Sequence, residues 1–243
     1  MTIKNHMFII EKHFKQYANK FGSPETYFIS GFNRNAFYKG NDFLEGKKDL
    51  LLNIHGHYGN GLTSMLLMLA NSVFEKDNRK FPYILCAQDY INNITTLSTD
   101  KYTQAMIESP YLFVDGFQLF EPFKNGVFSG ERLATFNHFQ YILEQRFILK
   151  YKTIIGSVLP IHLSDFLIKT NKDNHITTKF IDAEIKMLTT EEEKKAFSYF
   201  CKQSNYSYKE RKSLYKKFKF EKRYFSPCSL REIEKFIIDQ IAF

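Results

Sequence analysis

Residues 49–63 read Asp49-Leu50-Leu51-Leu52-Asn53-Ile54-His55-Gly56-His57-Tyr58-Gly59-Asn60-Gly61-Leu62-Thr63. The part up to His55 is a compact apolar run ending at a glycine, the pattern of a strand buried on both faces of a parallel sheet. From Gly56 to Thr63 the spacing is that of G-x-x-x-x-G-K-[ST], and Thr63–Phe74 (TSMLLMLANSVF) continues as an apolar helix. Strand, glycine loop and helix in that order are the context a phosphate-binding loop requires. The glycines let the backbone curl so that its N–H groups face phosphate oxygens, and the helix N-terminus adds a favourable dipole. Gly56, Gly59, Asn60, Gly61, Leu62 and Thr63 are therefore the candidate cofactor-binding residues. The Thr63 hydroxyl sits where such loops hold Mg²⁺.

Leu62 occupies the lysine position of that pattern. A leucine cannot neutralise β/γ-phosphate charge, so the loop is left with its backbone and hydrolysis loses a stabilising cation. A glycine-rich strand–helix turn with no ligand would have the same spacing.

Outward from this segment, Phe81–Ala87 (FPYILCA), Tyr111–Val114 (YLFV) and Thr153–Ser157 (TIIGS) read as further buried strands, and Tyr27-Phe28-Ile29 as a short strand-like run. Residues 33–46, Gln88–Leu97 and Glu131–Tyr151 read as helices, with a short helical pattern at Phe8–Phe21. Strands alternating with helices imply an α/β fold with a parallel sheet. From Thr189, a cap followed by Glu191, Glu192 and Glu193, the pattern is helical only. These readings divide the chain into an N-terminal extension (1–25), an α/β nucleotide-binding-like domain (26–182) and a helical lid domain (183–243).

The third strand delivers Asp115, placed to orient Mg²⁺ and water beside the loop; taken in isolation, it reads as a helix or turn cap. Gly116 follows, where many ATPases carry the acid that polarises water. Ser157 ends the fourth strand, within reach of a γ-phosphate or simply a turn hydroxyl. Arg231, in Ser229-Leu230-Arg231-Glu232, opens the last helix. From there it could reach back to a nucleotide, or it could be a surface arginine.

Together these residues resemble the AAA+ ATPases of the DnaA family, including Hda-type DnaA regulators and DnaC-type helicase loaders. Phe28–Ala36 (FISGFNRNA) resembles the family's opening segment, and Leu51–Ala70 its strand, loop and helix. Tyr111–Phe120 (YLFVDGFQLF) resembles its I-D-D-I-Q-x-L run, with Asp115 on the first acid and Gly116 on the second. Thr153–Pro160 resembles the sensor 1 strand, and Ser229–Phe236 (SLREIEKF) the sensor 2 helix with Arg231 on the sensor arginine. The resemblance covers roughly residues 26–240. It implies a P-loop AAA+ fold, a parallel five-stranded sheet with flanking helices, followed by a small all-α lid.

The departures are specific. Leu62 replaces the lysine and Gly116 the second acid, and no arginine occurs between Arg146 and Arg211, where the family places its arginine finger. The N-terminus lacks a Q-x-x-L-F-type clamp-binding peptide, and the chain stops after the lid without a helix–turn–helix domain. The expectation is an isolated AAA+ module acting in replication initiation or its regulation through protein or DNA binding, with little or no ATP hydrolysis. ADP or ATP is the implied cofactor, with Mg²⁺ held by Thr63 and Asp115 only alongside nucleotide. DnaA, the replicative helicase and the sliding clamp are the implied partners, and an oligomer is compatible. The alternatives are an active helicase loader or DnaA-regulating ATPase whose lysine is replaced by another base, and a small-molecule kinase of the P-loop class. Lys47 and Lys48 are too remote to be claimed as that base, and no catalytic lysine or acceptor-binding acid for a kinase is found.

Composition fits this reading. The 243 residues carry 34 Lys+Arg against 26 Asp+Glu, a net +8, which leaves room for an acidic partner. Hydrophobic content of 44% is that of a folded chain, and three scattered cysteines form no disulfide framework. No stretch is apolar enough for a membrane span and no signal peptide is seen, so a cytoplasmic protein without membrane contact is expected. Most of the charge falls in Lys209–Arg223 (KERKSLYKKFKFEKR), through Lys209, Arg211, Lys212, Lys216, Lys217, Lys219, Lys222 and Arg223. Those bases could face DNA or an acidic protein surface, with Tyr215, Phe218 and Phe220 stacking on bases or turned to the core.

Overall fold

The computed structural model describes residues 28–46, 49–76, 82–93, 100–120, 123–124, 127–128, 130–158, 180–222 and 228–241. The extension 1–25, Lys47, Lys48, Leu97 and Arg223 lie outside them.

In chain order the elements are α1 (Gly31–Glu45), β1 (Leu51–Gly56), α2 (Leu62–Lys76), β2 (Tyr83–Cys86), α3 (Ala87–Asn92), α4 (Asp100–Glu108) and β3 (Tyr111–Asp115). A 3₁₀ turn (Phe117–Phe120) leads to a two-stranded antiparallel hairpin, β4 (Phe123–Lys124) and β5 (Val127–Phe128). Then come α5 (Gly130–Ile148), β6 (Lys152–Ser157), β7 (Phe180–Ile185), α6 (Thr190–Gln203), α7 (Tyr208–Glu221) and α8 (Leu230–Ile241).

Five strands form one all-parallel sheet in the order β2-β3-β6-β1-β7. The chain leaves β1 towards β2 on the far side, and later crosses over β1 to reach β7. The strand order therefore turns at β1, and the crevice outside the carboxyl ends of strands at such a turning point is where open α/β sheets bind ligands. The loop 56–62 sits there.

Two cores explain why the strands read as apolar runs. One joins a sheet face to α1, α2 and the C-terminal helices through Phe32, Leu66, Phe197, Phe218, Ile233 and Phe236. The other packs Tyr83, Tyr90, Phe120, Phe139 and Ile142 on α3, α4 and α5. Burying each such aromatic or aliphatic side chain contributes roughly 1.5–3 kcal/mol.

Several details differ from the sequence reading, which assigned neither α4 nor the β4–β5 hairpin. Phe28 and Ile29 form no strand: Ser30 instead caps α1, exchanging bonds with Asn33, whose Nδ2 donates to the Phe28 carbonyl at 2.8 Å. The reading identified four strands from residues, and the fifth is β7. It is an edge strand alternating exposed Asp182 and Glu184 with buried Ala183 and Ile185, so it never reads as an apolar run. β7 runs through residue 182 and pairs with β1 along its length, and helices resume at Thr190.

The end of the sheet opposite the loop holds a buried and a half-buried cation, Arg146 and Lys152. Arg146 on α5 is fully buried and meets no carboxylate among the described residues. Its Nε donates to Thr153 Oγ1 at 2.9 Å, and its terminal nitrogens donate to the carbonyls of Met106, Ile107, Ser109 and Lys152. Burial pushes its pKa down to about 9. Lys152 Nζ donates to the carbonyls of Phe43, Leu44 and Gly46. Each thus satisfies the orphan carbonyls and negative dipole end of one helix, α4 and α1 respectively.

Candidate functional site

The loop's shape depends on its glycines. Gly59 and Gly61 have φ of +83° and +82°, where side chains are strained. A Cβ on Gly59 would also meet Ser229 Oγ at 2.7 Å. Asn60 N–H closes a turn onto His57 O at 3.2 Å, and the first helical bond of α2 runs from Met65 N–H to Gly61 O. The N–H groups of Leu62, Thr63 and Ser64 therefore precede the first turn's bonds. All three residues line a cleft of about 520 Å³.

The first turn of α2 carries no acid. The helices α6, α7 and α8 differ, because each closes its own N-terminus with Glu192, Glu210 or Glu232 bonded back to Thr189, Ser207 or Ser229. The N-terminus of α2 is thus left positive and open to an anion.

From the end of β3, with β6 between it and β1, Asp115 reaches the cleft. Thr63 Oγ1 donates to Asp115 Oδ2 at 2.9 Å, so the two candidate Mg²⁺ ligands stand side by side. Gly116 follows with φ of +78°, its N–H bonded to Gly156 O at 3.1 Å; no second carboxylate stands there. Leu62 lies over the end of β6, where a Cβ added to Gly156 would be 3.4 Å from Leu62 Cγ and 2.6 Å from Leu66 Cδ1. It packs against the core instead of offering a charge.

Arg231 lines the cleft from α8. Its Nη1 donates to Tyr58 Oη at 2.5 Å, its guanidinium lies 5.6 Å from the Tyr58 ring centroid, and its N–H donates to Gly59 O at 3.0 Å. The last helix is therefore latched to the loop. Among the described residues Arg231 is the only Lys or Arg lining the cleft, against Asp115 and Glu234.

The other expected site residues divide. Gly56 packs on Ile185, where a Cβ would meet its carbonyl oxygen at 2.6 Å. Asn60 is buried and donates to Lys186 O at 3.3 Å. Ser157 is fully buried opposite His55. None of the three is among the residues lining the cleft, where Val158 and Gln118 stand instead; the Val158 N–H donates to Gln118 Oε1 at 3.2 Å. Sequence reasoning passed over Tyr58, whose aromatic ring inside a glycine loop was the available signal, and Gln118.

The basic segment also divides. Lys219 pairs with Glu193 at 3.0 Å and Lys222 with Glu232 at 3.4 Å, while Lys217 donates to Gln240 at 2.6 Å; these tie α7 to α6 and α8. Arg211 is half-buried, donating to Ser198 Oγ at 3.5 Å. Phe218 is core, and Tyr215 donates to Glu193 Oε1 at 3.1 Å. Lys209, Lys212 and Lys216 are exposed. The cysteines are free, and burial pushes the Cys201 and Cys228 thiols up to about 11. Among the described residues no helix is long and apolar enough to cross a membrane.

A parallel five-stranded sheet turned at the loop strand, with a helical C-terminal part, is the fold of a P-loop AAA+ module. No family model and no curated protein matches the chain. In fold it is similar to DnaA and DnaC. It aligns with the replication initiator DnaA bound to AMPPCP and single-stranded DNA at TM-score 0.62 and 17% identity, covering 91% of this chain and 65% of that one. With domain III of the Thermotoga maritima replication initiation protein DnaA the values are 0.62 and 13%, covering 89% and 95%. With the DnaC helicase loader they are 0.50 and 18%, covering 70% and 99%. The chain thus spans about 65% of the longer DnaA structure and nearly all of the isolated domain.

Proposed function

We propose that this chain acts in DNA replication initiation or its regulation, as a DnaA-like AAA+ module that binds a replication protein or DNA and hydrolyses little or no ATP. One observation carries the second half: Leu62, at the lysine position, is folded onto Gly156 and the core beside a cleft in which, among the described residues, the one Lys or Arg is engaged by Tyr58. The first half is supported by the likeness to DnaA and DnaC. DnaA, the replicative helicase and the sliding clamp are the partners to test.

The residues present fit a nucleoside diphosphate. The open N–H groups at the start of α2 supply donors for one anionic group, and Thr63 with Asp115 would hold Mg²⁺ beside it. A bound Mg²⁺ would neutralise phosphate charge there. A third phosphate would add charge in a cleft lined by two carboxylates and one arginine, so ADP is favoured over ATP.

Steady-state ATP turnover of the full chain, compared with Asp115→Ala, tests the reading. Equal and negligible rates are expected. The side-by-side Thr63 and Asp115 favour the runner-up, a working ATPase, and turnover abolished by Asp115→Ala would establish it. Pull-down with purified DnaA, helicase and clamp tests the partner, and capture of none would remove the protein-binding branch.

A further inference from the structure

The outer face of α7 is a basic stripe. Advancing about 100° per residue around the helix, buried Phe218 and half-buried Arg211, Leu214, Tyr215 and Lys222 define the inner face. Opposite them lie Lys209, Ser213, Lys216 and Phe220, at i, i+4, i+7 and i+11, with Lys212 and Lys217 alongside. The stripe runs for about 16 Å. The helix's two acids, Glu210 and Glu221, fall on the flank between this stripe and the buried face, and Glu210 accepts the Ser207 N–H at 2.7 Å as a cap.

Lys219 and Lys222 spend their charge on Glu193 and Glu232, whereas Lys209, Lys212 and Lys216 have no such carboxylate among the described residues. Phe220 stands at the end of the stripe with 67% of its surface exposed.

We propose that this face of α7 docks single-stranded nucleic acid, with the lysines on backbone phosphates and Phe220 stacking on a base. The inference rests on the DNA-binding branch of the proposed function and names the side chains that carry it. Lysines are compact point charges suited to phosphates without base selection. An exposed ring beside them offers the π-face that unpaired bases use and a duplex hides. A membrane surface would need a broad outward apolar face, but the apolar face of α7 is turned into the core.

The test is fluorescence anisotropy of the full chain with a labelled oligothymidylate, at salt from about 50 mM to about 200 mM. Wild type should bind with an affinity that falls steeply with salt. The variant Lys209→Ala/Lys212→Ala/Lys216→Ala should bind at least about tenfold more weakly, with the slope of log K against log salt smaller by about 2. Phe220→Ala should weaken binding about tenfold at unchanged slope. Should the triple variant melt early, Lys216→Gln alone should still lower the slope, by about 0.7.

Wild-type affinity and slope in the lysine variants would overturn the inference. So would loss of binding to phosphatidylserine vesicles or polyglutamate in the triple variant while oligothymidylate still binds. Failure to capture any replication protein, with oligothymidylate binding and its variant effects intact, would remove the protein-binding branch of the proposed function and leave this surface standing.

Discussion

The two ends of the sheet treat helix termini in opposite ways. Away from the loop, the carbonyl ends of α1 and α4 are met from inside the chain, by Lys152 and by fully buried Arg146. At the carboxyl ends of the strands, the N–H end of α2 meets no acid of its own first turn, and Leu62 takes the lysine position of the loop. The comparison separates structural cations from functional ones. A cation can be buried when carbonyls surround it, as around Arg146. The N–H end of α2 is left to a visiting anion.

The largest effect sharpens the structural side. Arg146→Met should cost about 3–5 kcal/mol, because the carbonyls it serves lose their donor. Thermal unfolding should show a Tm lower by roughly 10 °C. A Tm within a degree or so of wild type would mean that the buried cation is dispensable. Leu62→Lys works on the other end. Restoring a charge-assisted phosphate contact of about 1.5–3 kcal/mol should tighten ATP binding roughly ten- to hundredfold while ADP gains less. Unchanged ATP affinity would show that the missing lysine is not what limits the site.

Tyr58→Phe is subtler. It removes the hydroxyl that receives Arg231 and keeps the ring, releasing one bond of about 0.5–1.5 kcal/mol. ADP affinity by calorimetry should rise a few-fold, and a fall would make Tyr58 itself a ligand contact.

The smallest effect lies away from both ends. His138 is bridged by Tyr90 at Nδ1 and by Thr103 Oγ1 at Nε2, 3.0 Å away, an arrangement that suits a neutral ring. Burial lowers its pKa from 6.5. A lowered pKa means the unfolded chain binds the proton more readily, so stability is present above about 6.5 and lost as pH falls. His138→Gln should flatten the decline in Tm between about pH 7 and pH 5, and an unflattened decline would place the titration elsewhere.

The fold was legible wherever burial is two-sided. Leu51–Gly56, Tyr111–Asp115 and Lys152–Ser157 are central strands, so they appear as apolar runs. β7 is an edge strand with a solvent-facing side, and its alternation of acids with apolar residues hid it. The loop and Asp115 were legible because their spacing is local. Ser157 was not, because the residue that reaches the cleft is decided by a pleat: Ser157 is buried and Val158 lines the cleft. The Tyr58–Arg231 latch joins positions 173 residues apart, and its cue in sequence was confined to the two residue types. Within Lys209–Arg223 the composition revealed the charge, but only packing distinguishes ion-paired Lys219 and Lys222 from outward Lys209, Lys212 and Lys216.

The most direct measurement is isothermal titration of the full chain with Mg·ADP and with Mg·ATP, paired with steady-state hydrolysis in wild type and Asp115→Ala. The account predicts ADP binding at least as tight as ATP and no turnover above that of Asp115→Ala. ATP binding tighter than ADP, with hydrolysis that disappears in Asp115→Ala, would contradict it.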